Sequence, residues 1–157
     1  MEASNWPSHI RYEIIKLAIK WGIKMICKKI LVVDDEKSIR ECISDLLEFE
    51  GYSVIAVRNG QEALDYLKSL TSENFPGIIM LDLMMPVMDG LTFLKEIKGK
   101  HTEFYDIPVV VISAAHVSGA NTSFLDYAVE KLSKPIGFDE INRVVKQYCG
   151  TPLKSHF

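Results

Sequence analysis

Short apolar runs alternate with segments of helical period from Lys29 onward, and this alternation is the feature that most limits how the chain can fold. The predicted strands are ILVV at 30–33, SVIAV at 53–57, GIIMLD at 77–82, IPVVVIS at 107–113 and a weaker VEKLS at 129–133. The first run is apolar on both faces, as in a parallel strand that is covered on both sides. Strands that alternate with helices predict a doubly wound α/β sandwich around a five-stranded parallel sheet.

Segments of helical period follow the first three strands and the last one. They are KSIRECISDLLEFEG at 37–51, NGQEALDYLKSL at 59–70, GLTFLKEIKG at 90–99 and GFDEINRVVKQYCG at 137–150. Asn59 is a residue type that caps helix N-termini, and Gly51 is a type that ends helices. In the first, second and last helices the apolar residues form one stripe, which predicts the face that packs on the sheet.

Polar residues stand where four of these strands end. Asp34 and Asp35 follow strand one, Asp82 ends strand three, Ser113 ends strand four and Lys134 follows strand five. Since parallel strands all end at the same edge of their sheet, we expect these residues to converge. Each one alone is better explained as a cap, a turn former or a solvent-facing charge. Capping does not, however, require three carboxylates that face one another.

Three carboxylates at close range repel one another unless a cation lies among them. The set contains no His or Cys, which points to a hard ion with oxygen ligands, and Mg²⁺ fits this description. Lys134 and Ser113 beside such an ion suit a phosphoryl group, whose oxygens need neutralisation and a hydrogen bond. Asp82 is the best candidate for a carboxylate nucleophile that forms an acyl phosphate, because it lies on the central strand.

A nucleotide site is the natural rival for this fold class, and the sequence argues against it. Phosphate-binding α/β proteins place a glycine-rich loop after strand one, so that backbone N–H groups can approach the anion. The corresponding loop here, DDEKS at 34–38, is acidic and has no glycine. The net charge of −3 also gives no basic field that would suggest nucleic acid as a partner.

The runs ILVVDDE (30–36), LDLMMPVMDG (81–90), PVVVISA (108–114) and KP (134–135) carry a family likeness. In this order they resemble the receiver domain of two-component response regulators, over roughly residues 29–149. The resemblance implies a flavodoxin-like (βα)5 fold, Mg²⁺ as cofactor, and phosphoryl transfer from a sensor histidine kinase or a histidine phosphotransfer protein. It further implies that the phosphorylated domain changes its binding to a downstream protein and is not an enzyme, although it assists its own phosphotransfer and dephosphorylation.

The resemblance also implies a role for each acidic residue. Asp82 would be the phosphoacceptor. Asp35 and Asp82 would hold Mg²⁺, Asp34 would act largely through water, and the backbone carbonyl of Met84 would complete the protein ligands.

Other positions follow the family pattern less evenly. Ser113 stands where the family has a hydroxyl that moves onto the phosphoryl group, and Lys134 where it has the phosphoryl-binding lysine. Pro135 implies a cis peptide bond after Lys134. The usual aromatic switch position is Lys131, the usual Gly-Ala pair reads Tyr127-Ala128, and the segment 116–128 is poor in helix formers. We expect the phosphorylation chemistry to be retained and the switch to differ.

The domain organisation predicted from the sequence is an N-terminal extension at 1–28, a receiver domain at 29–150 and a short tail at 151–157. Charged residues recur at helical spacing through 10–28, which suggests an amphipathic helix for a membrane-surface or homodimer contact. The alternative is that Met25 is the natural start, since MICKKILVVDDE already resembles a complete receiver opening. The second interpretation is slightly favoured. No recognition helix or enzymatic module follows the receiver, so we expect a stand-alone, single-domain protein.

The three cysteines, Cys27, Cys42 and Cys149, show no metal-binding spacing. A sparse, odd set suits buried thiols in a reducing cytoplasm better than a disulfide framework.

Two alternatives to the phosphoacceptor interpretation are open. One is a Mg²⁺-dependent phosphohydrolase that works through an aspartyl phosphate, but the position two residues after the nucleophile is Met84, which cannot carry a proton. The other is a pseudo-receiver, an interaction module that accepts no phosphate. The full set of acidic, hydroxyl and lysine positions counts against it.

Overall fold

The structure is a computed structural model that describes residues 29–99, 102–114 and 122–152. The strands are β1 (Ile30–Val33), β2 (Val54–Val57), β3 (Ile78–Asp82), β4 (Val109–Ser113) and β5 (Glu130–Ser133). The helices are α1 (Lys37–Phe49), α2 (Gly60–Lys68), α3 (Gly90–Lys98) and α4 (Phe138–Cys149). All neighbouring strands pair in parallel, in the order β2-β1-β3-β4-β5. The predicted α/β sandwich with a five-stranded parallel sheet is confirmed.

The three central strands are buried along their whole length, because helices cover both faces of the sheet. Alternate residues of β1 face opposite cores. Leu31 and Val33 pack with residues of α2 and α3, whereas Ile30 and Val32 pack with residues of α1 and α4. The edge strands β2 and β5 are only partly buried. This explains the weak apolar pattern of the fifth strand.

The helix boundaries follow the expected capping chemistry. The side chain of Asn59 accepts a hydrogen bond from the backbone N–H of Glu62 at the start of α2. Gly51 has a φ of +98° just beyond α1, and the backbone N–H of Tyr52 donates to the carbonyl of Leu47. That bond, with the left-handed glycine, forms a Schellman-type helix end.

The expectation for the cysteines has a different outcome, and two other expectations concern segments that the structure describes only in part or not at all. Within 116–128, the part that the structure describes is a 3₁₀ segment at Thr122–Tyr127. Cys42 is exposed and free, and Cys149 is fully buried but disulfide-bonded. The expectation of buried thiols is therefore wrong for both. The extension at 1–28, including Cys27, lies outside the described residues. None of the described helices has the length and apolar composition that a membrane-spanning helix needs.

Gly90 joins the site to the fold, since it lets the first turn of α3 pack against the end of β3. A Cβ atom at this position would lie 2.2 Å from the Asp82 carbonyl oxygen and 2.8 Å from the Leu83 Cα. Both are backbone atoms that cannot move aside without shifting the strand. The backbone N–H of Gly90 also donates to the Leu83 carbonyl at 3.0 Å.

We expect Gly90→Ala to destabilise the protein by about 2–4 kcal/mol, since overpacking against backbone has no cheap relaxation. Gly137→Ala is the matched control, because a Cβ atom there meets nothing within 4 Å. It should change the free energy of unfolding by no more than about 0.5 kcal/mol. Urea unfolding followed by circular dichroism measures both. Equal midpoints for the two variants would contradict the close-approach argument.

Candidate functional site

The order of the strands brings the predicted polar residues to one edge of the sheet. Asp34 follows β1, Asp82 ends β3, Ser113 ends β4 and Lys134 follows β5. β3 lies between β1 and β4, and β5 lies on the far side of β4. Asp82 is therefore flanked by the acidic turn on one side and by Ser113 and Lys134 on the other.

Three carboxylates form a compact cluster at this edge. One carboxylate oxygen from each of Asp34, Asp35 and Asp82 lies within 4.8 Å of the others. Asp34 and Asp82 are buried, with only 2% and 4% of their surface accessible to solvent, whereas Asp35 is exposed. The cluster is thus buried on the sheet side and open to solvent at Asp35.

The ammonium group of Lys134 lies against this cluster. Its Nζ is 2.8 Å from Asp34 Oδ2, 3.3 Å from Asp82 Oδ2 and 3.7 Å from Glu36 Oε1. The side chain is mostly buried, so its charge is poorly screened by water. Lys134 therefore offsets part of the repulsion among the acidic groups.

Burial and neighbouring charges shift the pKa of both central groups. Burial raises the pKa of Asp82 above its usual 3.8; the charge of Asp34 adds to this, while Lys134 and a backbone hydrogen bond from Met84 oppose it. Burial alone would lower the pKa of Lys134, but the hydrogen bond and charge of Asp34, followed by those of Asp82, raise it above 10.5. The lysine is held in its charged form, and Asp82 is more basic than an exposed aspartate.

Backbone contacts connect Lys134 to the end of β4. The backbone N–H of Lys134 donates to the carbonyl of Ser113 at 3.0 Å, and the side chain of Ser113 is buried. Because of this hydrogen bond, a shift of Lys134 or of Ser113 would be transmitted to the other residue. The peptide bond between Lys134 and Pro135 is cis, as the sequence predicted.

The loop after Asp82 is anchored by apolar side chains and by its own hydrogen bonds. Leu83 and Met85 are buried, whereas Met84 is exposed. Val87 has a φ of +69°, a left-handed conformation that is strained for a β-branched residue. A hydrogen bond of 2.9 Å from the Met88 N–H to the Pro86 carbonyl closes the turn around Val87.

Two residues that the sequence analysis did not single out also contact the acidic turn. Arg40 donates from Nη1 to the backbone carbonyls of Asp34 at 2.7 Å and Asp35 at 2.8 Å. Glu36 approaches Lys134, as described above. An Arg four residues after a Glu on a helix normally predicts an ion pair between the two. The charge pattern alone would therefore have predicted the wrong partner for both side chains.

The donor set of the cluster fits a hard divalent cation. All three candidate ligands in it are carboxylates, the ligand type that Mg²⁺, Ca²⁺ and Mn²⁺ prefer. The exposed position of Asp35 leaves a solvent-facing side, which suits an ion that keeps several water ligands.

The family model and the curated relatives that match this chain point to the same family. The model of the response regulator receiver domain family matches residues 30–146. Response regulator RR06 of Streptococcus pneumoniae serotype 2 is 39% identical over 124 residues, which cover 76% of this chain and 54% of RR06. Response regulator MprA of Mycobacterium sp. strain KMS is 35% identical over 114 residues, 72% of this chain and 46% of MprA. The chain thus spans about half the length of the curated relatives that it matches.

Solved structures agree on the fold. The Mn²⁺-bound form of response regulator Rcp1 superposes with a TM-score of 0.67 at 26% identity, over 80% of this chain and 97% of that one.

We expect Asp82→Asn to stabilise the protein at neutral pH by roughly 2–6 °C in melting temperature. The pKa of Asp82 is raised in the folded state, so its protonated form stabilises the fold below 3.8 and that contribution is lost as pH rises through the folded-state pKa. Asn removes the cost of the buried charge above that range. The advantage should disappear on acidification below 3.8. Asp45→Asn, at an exposed position on α1, should have no effect in the same thermal scans.

We expect Lys134→Met to destabilise the protein by about 2–4 kcal/mol at neutral pH, because it leaves buried carboxylates without their cation. The raised pKa of Lys134 means that its contribution is present below 10.5 and is lost as pH rises through the folded-state value. Lys131→Met is the matched control. Lys131 is half exposed and pairs with Asp126 at 3.7 Å, a contact worth no more than about 1 kcal/mol. Similar losses in chemical denaturation for the two variants would argue against a special role for Lys134 in balancing the cluster.

Proposed function

Because the chain belongs to the family of response regulator receiver domains, we propose that Asp82 accepts a phosphoryl group and that this modification regulates binding to another protein. The observation that supports the proposal best is the setting of Asp82. It is a buried carboxylate with a raised pKa at the end of the central strand, with two further carboxylates and a lysine ammonium around it. A basic, desolvated carboxylate is a better nucleophile than an exposed one.

We propose that the metal is Mg²⁺, held by the carboxylates of Asp34, Asp35 and Asp82 and by the backbone carbonyl of Met84. When bound, the ion would neutralise charge on the phosphoryl oxygens and reduce repulsion within the acidic cluster. Support comes from the all-carboxylate donor set and its mutual distances within 4.8 Å. Rcp1 has been determined with Mn²⁺ bound, an ion that shares the preference for oxygen ligands.

The transfer step that we propose uses one oxygen of Asp82. It attacks phosphorus in line with the donor, a new O–P bond forms, and the N–P bond of the donor phosphohistidine breaks. The bonding electron pair remains on the imidazole nitrogen. The ring leaves in its neutral form because its other nitrogen carries a proton, so no external acid is needed. Lys134 provides charge to the phosphoryl oxygens from its position 3.3 Å from Asp82, and the Ser113 hydroxyl donates a hydrogen bond to them.

We propose that the donor is a sensor histidine kinase or a histidine phosphotransfer protein, and that the receiver assists both its own phosphorylation and the hydrolysis of its acyl phosphate. Turnover of an external phosphomonoester is not part of the proposal. The residue two positions after Asp82 is Met84, whose exposed thioether side chain cannot act as an acid or base.

We further propose that residues 29–150 act as the receiver unit and that it works in the cytoplasm, where ATP-dependent kinases charge phosphohistidine donors. Disulfides are rare in that compartment, and Cys149 is disulfide-bonded in the structure. The cytoplasmic assignment therefore rests on the phosphohistidine donor and not on the state of the cysteines. The downstream target is a protein that distinguishes the two phosphorylation states.

Incubation of the full chain with Mg²⁺ and acetyl phosphate should add one phosphoryl group, because attack by Asp82 breaks the O–P bond of the donor and releases acetate. Intact-mass spectrometry at neutral pH measures the adduct. Asp82→Asn should abolish it, and omission of Mg²⁺ should reduce it strongly.

Asp89→Asn is the matched control for this experiment. Asp89 lies in the same loop, is exposed, and caps α3 by accepting from the Thr92 N–H at 2.7 Å, a role that Asn also performs. This variant should be phosphorylated like the wild type. A folded Asp82→Asn protein that still carries the adduct would refute the assignment, and sustained phosphate release from a phosphomonoester would favour a phosphohydrolase instead.

A further inference from the structure

Arg40 binds the backbone of the acidic turn without touching its carboxylates in any described contact. One guanidinium nitrogen donates to two consecutive carbonyls, those of Asp34 at 2.7 Å and Asp35 at 2.8 Å. We infer that Arg40 is a positioning residue that sets the direction of the Asp34 and Asp35 side chains toward Asp82, and thereby the affinity of the site for Mg²⁺. This inference rests on the proposed metal site.

The geometry of the turn explains why its backbone needs the two Arg40 hydrogen bonds, which together are called the Arg40 clamp. The Asp34 N–H makes a hydrogen bond of 3.2 Å to the Val57 carbonyl, at the end of the β1–β2 pairing. Beyond it the backbone leaves the sheet. Successive carbonyls of an extended strand point to opposite sides, so one nitrogen can bind both only if the chain has turned. The Arg40 contacts therefore specify a turned backbone at this position.

A second hydrogen bond fixes the same turn from the other side. Asp34 Oδ1 accepts from the backbone N–H of Glu36 at 2.8 Å, which is an Asx-turn. This bond occupies Oδ1 and leaves Oδ2 for the contact of 2.8 Å with Lys134. Both oxygens of Asp34 therefore have a partner, and the orientation of this carboxylate is fixed by the turn and by Lys134. In that orientation one oxygen each of Asp34 and Asp35 lies within 4.8 Å of an Asp82 oxygen.

The charge of Arg40 opposes the effect of its geometry. A guanidinium near the cluster repels a divalent cation, so its removal would strengthen Mg²⁺ binding on electrostatic grounds alone. Arg40 is only partly buried, and a charge effect at such a position is worth about twofold to fivefold in affinity. Loss of a residue that orients metal ligands typically weakens binding by about tenfold to a hundredfold. The positioning effect is therefore the larger one.

A purely structural role for Arg40 predicts a different result. If the side chain only joined the first turns of α1 to β1, its removal would lower the melting temperature and leave the Mg²⁺ affinity of the folded protein unchanged. Affinity and stability must therefore be measured separately on the same variants.

The test is isothermal titration calorimetry of the full chain with MgCl₂ at neutral pH. Arg40→Ala should weaken Mg²⁺ binding by about tenfold or more. Arg40→Lys should recover part of this loss, since an ammonium can still donate to backbone carbonyls. Arg58→Ala is the matched control, because Arg58 follows β2 and its exposed side chain pairs with the Glu62 carboxylate and not with the acidic turn. It should change the affinity by less than about twofold.

A second readout does not depend on the metal. In metal-free protein the Glu36 amide should exchange with solvent faster in Arg40→Ala than in the wild type, since the Asx-turn loses one of its two constraints. Unchanged or tighter Mg²⁺ binding by Arg40→Ala overturns the inference. If that variant does not fold, Arg40→Lys decides: weaker Mg²⁺ binding than wild type with faster exchange of the Glu36 amide supports the inference, and wild-type or tighter binding overturns it. Absence of Mg²⁺ binding by the wild type overturns the metal site itself, a result that Arg40 cannot cause.

Discussion

The site depends on one constraint, the meeting of buried like charges at the edge of a parallel sheet. Strand direction forces Asp34 and Asp82 into the same space, and Lys134 is the cation that the fifth strand places against them. Buried ion clusters are rarely optimal for stability, since an apolar filling of similar shape often does as well or better. The raised pKa of Asp82 shows that its burial outweighs the attraction of Lys134. A buried carboxylate that costs stability in this way is typical of sites where the carboxylate takes part in a reaction.

The sequence predicted the convergence of the site residues for a physical reason. Alternating strands and helices imply a parallel sheet, and a parallel sheet collects the carboxyl ends of its strands. The cap at Asn59 and the helix end at Gly51 are local and were equally predictable. The part played by Gly90 was not. The sequence places Gly90 only at the start of a predicted helix, whereas the structure shows a contact so close that no Cβ fits beside the Asp82 carbonyl. Arg40 was missed because its partners are backbone carbonyls, which leave no mark in the pattern of charges.

Apolar contacts dominate the 3₁₀ segment before β5. Lys131 pairs with Asp126 across the surface, and an exposed pair of this kind contributes little. Leu125 is buried in the core shared with α3, and the Phe124 and Tyr127 rings pack on each other with centroids 5.8 Å apart. These apolar contacts, more than the ion pair, hold the 3₁₀ segment in place. Short segments of this kind can change their arrangement at a smaller free-energy cost than a helix that is packed along its whole length.

The backbone bond between Lys134 and Ser113 suggests how such a shift would begin. On the proposed assignment, a phosphoryl group on Asp82 competes with Asp34 for the Lys134 ammonium, which now lies closer to Asp34 than to Asp82. A phosphoryl group carries more negative charge than the carboxylate that it modifies, so the lysine would move toward it. Because the Lys134 N–H is bonded to the Ser113 carbonyl, the ends of β4 and β5 would respond together. The 3₁₀ segment lies between these two strands in the chain, and just after it the backbone N–H of Val129 donates to the carbonyl of Val109 in β4 at 2.9 Å. A movement of β4 would therefore also displace the chain at the end of this segment.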